Sequence, residues 1–311
     1  MKKLYSLVIP LYNEEQVIHE CIKRVTHVMT DKDFDYEVIF INDGSKDMTE
    51  SIVKEYCLND AHLKLISFSR NFGHQTAITA GMDNAKGDAV IVMDADLQDP
   101  PEVVLQLISK YEEGYDVVYA IRSKRKGETF FKKLTAKIFY RFLRNMCEVD
   151  IPIDTGDFRL ISRQVCDVLK GLTERNRYVR GLVSWVGFKQ TGIYYEREER
   201  FAGETKYPLK KMLKLSMDGI TSFSTKPLKM TKWIGLVMAA LGFIYALVII
   251  IQKLAGIQMQ TGWASTIVII LLIGGIQLIM LGITGEYIAR IFDESKNRPL
   301  YIIKEKVNMD E

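Results

Sequence analysis

The sequence predicts an α/β domain built on a mostly parallel sheet, followed by interfacial helices and a two-helix transmembrane hairpin. Three observations carry this: short apolar runs alternate with helix-like stretches over the first 120 residues, polar clusters follow each run, and two long segments near the C-terminus lack charge. Apolar runs at 4–10, 37–41, 63–68, 89–93 and 117–120 are bounded by turn residues and read as strands. Helix-like patterning falls between them at 14–29, 48–57, 76–85 and 102–111. Alternation of this kind is the signature of βαβ units.

The 311 residues are 48% hydrophobic with a mean hydropathy near zero, high for a purely soluble chain. The excess is concentrated in 233–251 and 263–283, which contain no Lys, Arg, Asp or Glu. At about 1.5 Å per residue these helices would run roughly 28 and 31 Å, close to the hydrocarbon thickness of a bilayer. Lys226, Lys229 and Lys232 precede the first span, and Arg290, Lys296 and Arg298 follow the second. Between the spans the connector offers only Lys253. The positive-inside rule then places both termini in the cytoplasm, at a cell membrane. The expected organisation is a catalytic domain over 1–205, interfacial helices over 206–232, the hairpin over 233–285 and a cytoplasmic tail over 286–311. Lysines interleaved with apolar residues at helical spacing mark 206–232 as interfacial.

The N-terminal run is cut short by Pro10 and the Asn13-Glu14-Glu15 cluster, which argues against a signal peptide. Cys21, Cys57, Cys147 and Cys166 lack the close spacing of a zinc site. A net charge of +3 is too small to imply nucleic acid as a partner.

In open α/β sheets ligands sit at the carboxyl ends of strands. The run VIVMDADLQDPPE ends in Asp94, Ala95 and Asp96, then Gln98 and Asp99. Carboxylates that close repel unless a cation offsets them, and oxygen ligands suit Mg²⁺ or Mn²⁺. An isolated D-x-D serves equally well as a loop or helix cap. Its companions decide: SLVIPLYNEE sets Pro10, Tyr12, Asn13 and Glu14 after the first strand, and VIFINDGSKD sets Asn42, Asp43, Gly44 and Ser45 after the second. Three strand ends with polar clusters make one rim suited to a nucleotide. Neither G-x-G-x-x-G nor G-x-x-x-x-G-K is present at these ends, so a dinucleotide fold and a P-loop are unsupported. His74 reads as a capping or core residue, Arg159 as a buried partner for Asp154 or Asp157, and Glu286 as an i,i+4 partner of Arg290 or a residue near the lipid phosphate.

Together these pieces resemble the inverting glycosyltransferases of family 2, with the A-type glycosyltransferase fold, and more narrowly the polyprenyl-phosphate branch that includes dolichyl-phosphate mannose synthase and bactoprenol glucosyltransferases. The resemblance spans nearly the whole chain. It includes SRNFGHQTAITAGMDNAKGD, DADLQDPPE, DTGDFRLISR, RFAGETKYPL and GEYIARIFDESKNRPLYII, the last two being the most specific to that branch.

The resemblance implies that Pro10, Tyr12, Glu14 and Asp43 hold the base and ribose. It sets Asp94 near the ribose or sugar, and Asp94, Asp96 and Gln98 around a Mg²⁺ or Mn²⁺ ion and the diphosphate. Asp157 is the implied general base or orienting group, and Arg122, Arg200 and Lys206 the phosphate-binding cations. Asp96, Asp157 and Arg200 are thus the expected catalytic set. The implied partners are a nucleotide sugar donor, polyprenyl phosphate in the membrane and other copies of the chain, in a tetramer. UDP-glucose or UDP-N-acetylglucosamine is the leading donor. A processive polysaccharide synthase is disfavoured, because residues 176–180 do not match its Q-x-x-R-W motif and two spans are too few for a channel. A non-catalytic scaffold is disfavoured by the presence of Asp94, Asp96 and Asp157 together.

Overall fold

The computed structural model describes residues 2–30, 32–123, 155–198, 224–255 and 262–309. The chain opens with β1 (Leu4–Leu11), α1 (Ile18–Met29), β2 (Asp35–Asn42), α2 (Thr49–Asn59), β3 (Leu63–Phe68), α3 (His74–Asn84) and β4 (Ala89–Val92). A short 3₁₀ turn (Pro101–Val103) leads into α4 (Val104–Glu112) and β5 (Val117–Arg122). These match the expected runs. Beyond them come β6 (Thr155–Ser162), α5 (Arg163–Gly171), α6 (Val179–Trp185) and β7 (Gln190–Tyr195).

The strands form one eight-stranded sheet in the order β7-β5-β6-β4-β1-β2-β3-β8, where β8 is Ile303–Val307. Pairings β1–β2, β1–β4, β2–β3 and β5–β7 are parallel. β6 runs antiparallel between β4 and β5, and β8 antiparallel along β3, so the sheet is more mixed than the sequence predicts. From β1 the chain winds one way through β2 and β3, then crosses to β4 on the other side. A crevice opens where such a winding reverses, at the carboxyl ends of the strands.

Helices cover both faces, so the central strands are buried along almost their whole length and read as continuous apolar runs. α1 buries Ile18, Cys21, Ile22, Val25, Val28 and Met29, one stripe at helical spacing, against one face. α3 packs on the other face so closely that a Cβ at Gly81 would lie 2.1 Å from Val8 Cγ1. Only glycine permits that approach.

The C-terminal region consists of α7 (Lys226–Leu254) and α8 (Trp263–Ser295). Their spans, Lys226–Gln252 and Thr266–Ser295, have mean hydropathies of 2.8 and 2.6, and their apolar windows bury nothing against the protein. Length, apolarity and exposure together suit a membrane-associated hairpin. Of the expected interfacial stretch, 206–223 lies outside the described residues, and α7 already begins at Lys226.

At the amino end of the sheet, the buried Glu37 carboxylate accepts hydrogen bonds from Ser6 Oγ, from Lys64 Nζ at 2.6 Å and from the Lys86 amide at 2.7 Å. Burial pushes this carboxyl up, but these donors outweigh it and hold the group below its ordinary value. A depressed folded-state value means that the pairing stabilises the fold at neutral pH and stops doing so as pH falls through that value. Replacing Glu37 by Gln is expected to cost about 3 kcal/mol at pH 7, as for breaking a buried ion pair. The deficit against the parent, followed by thermal unfolding, should shrink as pH drops below about 4.

Candidate active site

The ends of β1 and β2 are laced together. Asn13, in a left-handed conformation with φ 54°, donates its amide to Ser45 Oγ (3.0 Å), and its Oδ1 accepts from the Lys46 amide (2.9 Å). The Ser45 amide donates to Asn42 Oδ1, and the Glu14 amide to Thr49 Oγ1. Asparagine tolerates this backbone region better than most residues. Tyr12 is exposed on this rim, whereas Pro10 is buried within β1 beneath it.

Asp43 follows β2 and is 3% exposed. Its carboxylate accepts from the amides of Phe72 (2.6 Å) and Gly73 (3.0 Å), immediately before α3. A negative charge at a helix N-terminus is favoured by the free amides and the helix dipole there. Burial nonetheless pushes the Asp43 carboxyl above its ordinary value. Gly44, at φ +65°, lies so near the backbone that a Cβ would sit 2.6 Å from the carbonyl carbon of Arg70. The Asp-Gly pair is therefore a close-packed support for the loop before α3, beyond a simple turn.

β4 delivers the acidic loop. Asp96 Oδ1 accepts from the Gln98 amide at 3.1 Å across Leu97, whose φ is 57°. Asp99 is fully buried: Tyr195 donates to it, Arg122 Nη2 lies at 3.4 Å and Arg197 Nε at 3.6 Å. Asp99 thus anchors the loop to β5 and β7. Arg122, expected at a phosphate, spends Nε on Tyr195 (3.2 Å) and Nη2 on Asp99. Asp94 keeps 31% of its side chain exposed, but the surrounding protein withdraws enough water to push its carboxyl up to about 6. Asp157, Asp99 and Asp96 add to that push and His74 opposes it.

Across β4 from the polar rim of β1 and β2, Asp157 on β6 sits at the centre of a second cluster. Arg180 of α6 grips its carboxylate with Nε at 2.8 Å and Nη2 at 2.9 Å, Gln75 Nε2 donates at 3.3 Å, and His74 Nε2 lies at 3.2 Å. Burial would raise this carboxyl, but Arg180 and then His74 hold it well below the usual carboxylate range. The same His74 nitrogen is 3.5 Å from Asp94 Oδ1. Burial disfavours a charged imidazole, yet the hydrogen bond to Asp157 and the charges of Asp94 and Asp157 carry His74 up to about 9. The partner of Asp157 is Arg180, with Arg159 Nη2 farther off at 4.0 Å. His74, expected to cap or fill the core, instead bridges the two acidic groups.

Tyr12, Glu14 and Asp43 thus follow the carboxyl ends of β1 and β2, Asp94 and Asp96 follow β4, and Asp157 stands on the neighbouring β6, joined to Asp94 through His74. Arg200 and Lys206 lie outside the described residues. Sequence reasoning missed Arg180, Gln75 and Tyr195, because each meets its partner, Asp157 or Asp99, only through the fold. Among the described residues no three His, Cys, Asp or Glu side chains converge as a ready-made cation site. Asp94 and Asp96 still fit Mg²⁺ or Mn²⁺, which bind through one or two carboxylates and complete their shell with water and substrate phosphates. Burial first, and the carboxylates of Asp157, Asp99 and Asp96 after it, disfavour charge on Asp94, and a cation there would offset both.

An open sheet with carboxylates at its reversal point, joined to an apolar hairpin, is the architecture of a membrane-associated A-type glycosyltransferase. The chain belongs to glycosyl transferase family 2, whose model matches residues 6–169. A second model, the GtrB C-terminal hairpin, matches residues 226–291. The uncharacterized glycosyltransferase YkcC of Bacillus subtilis is 60% identical over 98% of this chain and 95% of its own length. The bactoprenol glucosyl transferase of Shigella phage SfV is 46% identical, covering 96% of this chain and 97% of its own. Among solved structures, glucosyl-3-phosphoglycerate synthase from Mycobacterium tuberculosis, in complex with Mn²⁺, UDP and phosphoglyceric acid, is 20% identical. That alignment covers 70% of this chain and 76% of that one, with a TM-score of 0.49.

Replacing Asp43 by Ala strips the acceptors from two part-buried amides and should cost about 2–6 kcal/mol, at about 1–3 kcal/mol for each group left unpaired. Hydrogen–deuterium exchange should then speed up first at Phe72 and Gly73. Unchanged protection there would show that Asp43 does not hold that loop.

Proposed function

We propose that the chain transfers a sugar from a UDP-sugar, UDP-glucose or UDP-N-acetylglucosamine, to the phosphate of a polyprenyl phosphate, with inversion at the anomeric carbon. The observation that carries this is the acidic loop at the reversal point, joined through a single imidazole to a cationic cluster on β6 and α6. The bactoprenol glucosyl transferases, matched along nearly their full length, support the lipid phosphate as acceptor. On this reading Tyr12, Glu14 and Asp43 frame the nucleotide beside Pro10, and Asp94, Asp96 and Gln98 face the diphosphate. Arg200 and Lys206 meet phosphates, and Arg122, held by Asp99 and Tyr195, braces the acidic loop.

An acceptor phosphate oxygen attacks the anomeric carbon from the face opposite the diphosphate. The new carbon–oxygen bond forms as the bond to the diphosphate breaks, and the electron pair leaves with UDP. A phosphate monoester has its second pKa near 6, so at pH 7 the acceptor is already largely dianionic and no proton need be removed. Asp157, gripped by Arg180 and held well below the carboxylate range, suits orienting the neighbouring cations better than abstracting a proton. A bound Mg²⁺ or Mn²⁺ would supply neutralisation of charge on the leaving diphosphate.

The hairpin brings the site to the lipid. Each polyprenyl CH₂ exposed to water costs about 0.8 kcal/mol, so the acceptor stays in the bilayer. Lys226, Lys229 and Lys232, in the first turns of α7, suit an anionic cytoplasmic surface at about 1 kcal/mol each.

Incubated with a panel of radiolabelled nucleotide sugars and polyprenyl phosphate, the full chain is expected to place label from a UDP-sugar in the organic-extractable product. Asp96→Asn should lower turnover at least about a hundredfold with little change in thermal midpoint, because several kcal/mol of charge stabilisation depend on the ion. Full activity in excess chelator would remove the metal from the mechanism. Label transferred only from GDP-sugars would overturn the donor assignment.

A further inference from the structure

The cluster around Asp157 holds more positive charge than that carboxylate needs. A guanidinium has five N–H donors, and Arg180 spends two, from Nε and Nη2, on Asp157. Its side chain keeps 26% of its surface exposed, and its remaining edge, made by Nη1 and the second Nη2 proton, has no hydrogen-bond partner among the described residues. Below it, Arg159 is 1% exposed, 4.0 Å from Asp157, and donates only Nη2, to the Gly156 carbonyl at 2.8 Å. Its Nε and Nη1 have no hydrogen-bond partner among the described residues, and the group lies over the Tyr119 ring at 5.7 Å. Two guanidinium groups therefore face one buried carboxylate, and of the two Arg180 is the one that presents an open edge among the described residues.

We propose that Arg180 binds the phosphate of the acceptor: Asp157 fixes one edge of the guanidinium, and the other edge receives a phosphate monoester. The inference rests on the acceptor assignment above and adds a residue and a location to it. Arginine's planar fork matches phosphate oxygens, and a fork already held on one side loses little freedom when the second ligand binds.

Sheet order places this edge on the acceptor side. The nucleotide rim lies over β1 and β2, the acidic loop ends β4, and Asp157 stands on β6, the neighbour of β4 away from β1. The only side chain bridging the acidic loop and the Arg180 cluster among the described hydrogen bonds and ion pairs is His74. A phosphate on the open edge of Arg180 thus lies across the acidic loop from the nucleotide, the side from which in-line attack must come. Asp157 then serves the reaction as the anchor of a cation.

The test compares the parent with Arg180→Lys, both full-length in vesicles that contain polyprenyl phosphate, with inorganic phosphate as a competing probe. Lysine keeps a charge beside Asp157 and loses the second edge. The apparent KM for polyprenyl phosphate should rise at least about tenfold, the factor expected from losing a charge-assisted hydrogen bond. The inhibition constant for inorganic phosphate, competitive against the lipid in the parent, should rise with it, while calorimetric affinity for UDP and the thermal midpoint stay near those of the parent. If Arg180→Lys does not fold, the pair Asp157→Asn with Arg180→Gln keeps an uncharged hydrogen bond at the same place and carries the same expectations. A fall in kcat with an unchanged lipid KM would overturn the proposal and leave Arg180 a support for Asp157, and so would a loss of UDP affinity. Label appearing in a soluble sugar phosphate would point to free phosphate as the acceptor and overturn the lipid assignment. A parent that binds UDP but makes no lipid-linked sugar from any donor would remove the acceptor reading itself, whatever the variant does.

Discussion

A carboxylate buried as deeply as Asp157 must be paired, because an uncompensated charge in the protein interior costs several kcal/mol. Its pairing draws together three elements: β6, which carries it, α6, which supplies Arg180, and α3, which supplies His74 and Gln75. Gln75 also accepts from the Val179 amide at 3.0 Å, which ties the start of α6 to the start of α3. The amides just before α3 are held in turn by Asp43 at the end of β2. One helix N-terminus is thus fixed from the β2 side by Asp43 and from the β6 side by Asp157, and the two clusters share a support.

The hairpin is fastened to the same framework. After α8 the chain turns at Asn297, in a left-handed conformation, and returns as β8 along β3, covering what would be an open sheet edge. Tyr301 stacks on Phe68 and donates to Asp83 at 3.2 Å, and Asn308 Nδ2 donates to the Leu63 carbonyl at 2.9 Å. Where α8 ends, Glu294 accepts from the Arg175 amide at 2.7 Å and Asn297 pairs with the Arg175 side chain. Arg175 lies in the segment that leads into α6 and Arg180. The helix that meets the bilayer and the helix that grips Asp157 are therefore neighbours through one short stretch of chain.

Strands β1 to β5 were legible because buried strands of an α/β sheet are continuous apolar runs, and the acidic and polar rim was legible because those runs end in it. β6 was not, since Asp157 and Arg159 interrupt its pattern; Asp157 is tolerated inside through Arg180, a partner that the local sequence does not reveal. β8 reads as a charged tail, with Lys304, Glu305 and Lys306 in a row, because an edge strand exposes alternate residues. α6 has seven residues, too few to show a helical period. Asp157 could be marked by resemblance, but Arg180 lies 23 residues away and is joined to it only by folding. Similarly, Arg122 looks like a free cation in the sequence, and the structure commits much of it to Asp99 and Tyr195.

The account gives Asp157 a part in receiving the acceptor and none in holding the nucleotide. The measurement that tests this most directly is the Asp157→Asn variant, confirmed as folded by its melting transition and then assayed for kcat/KM on polyprenyl phosphate and for UDP affinity by calorimetry. The account predicts a large fall in kcat/KM for polyprenyl phosphate with UDP affinity near that of the parent. A parallel collapse of UDP affinity, or a kcat/KM equal to the parent's, would contradict it.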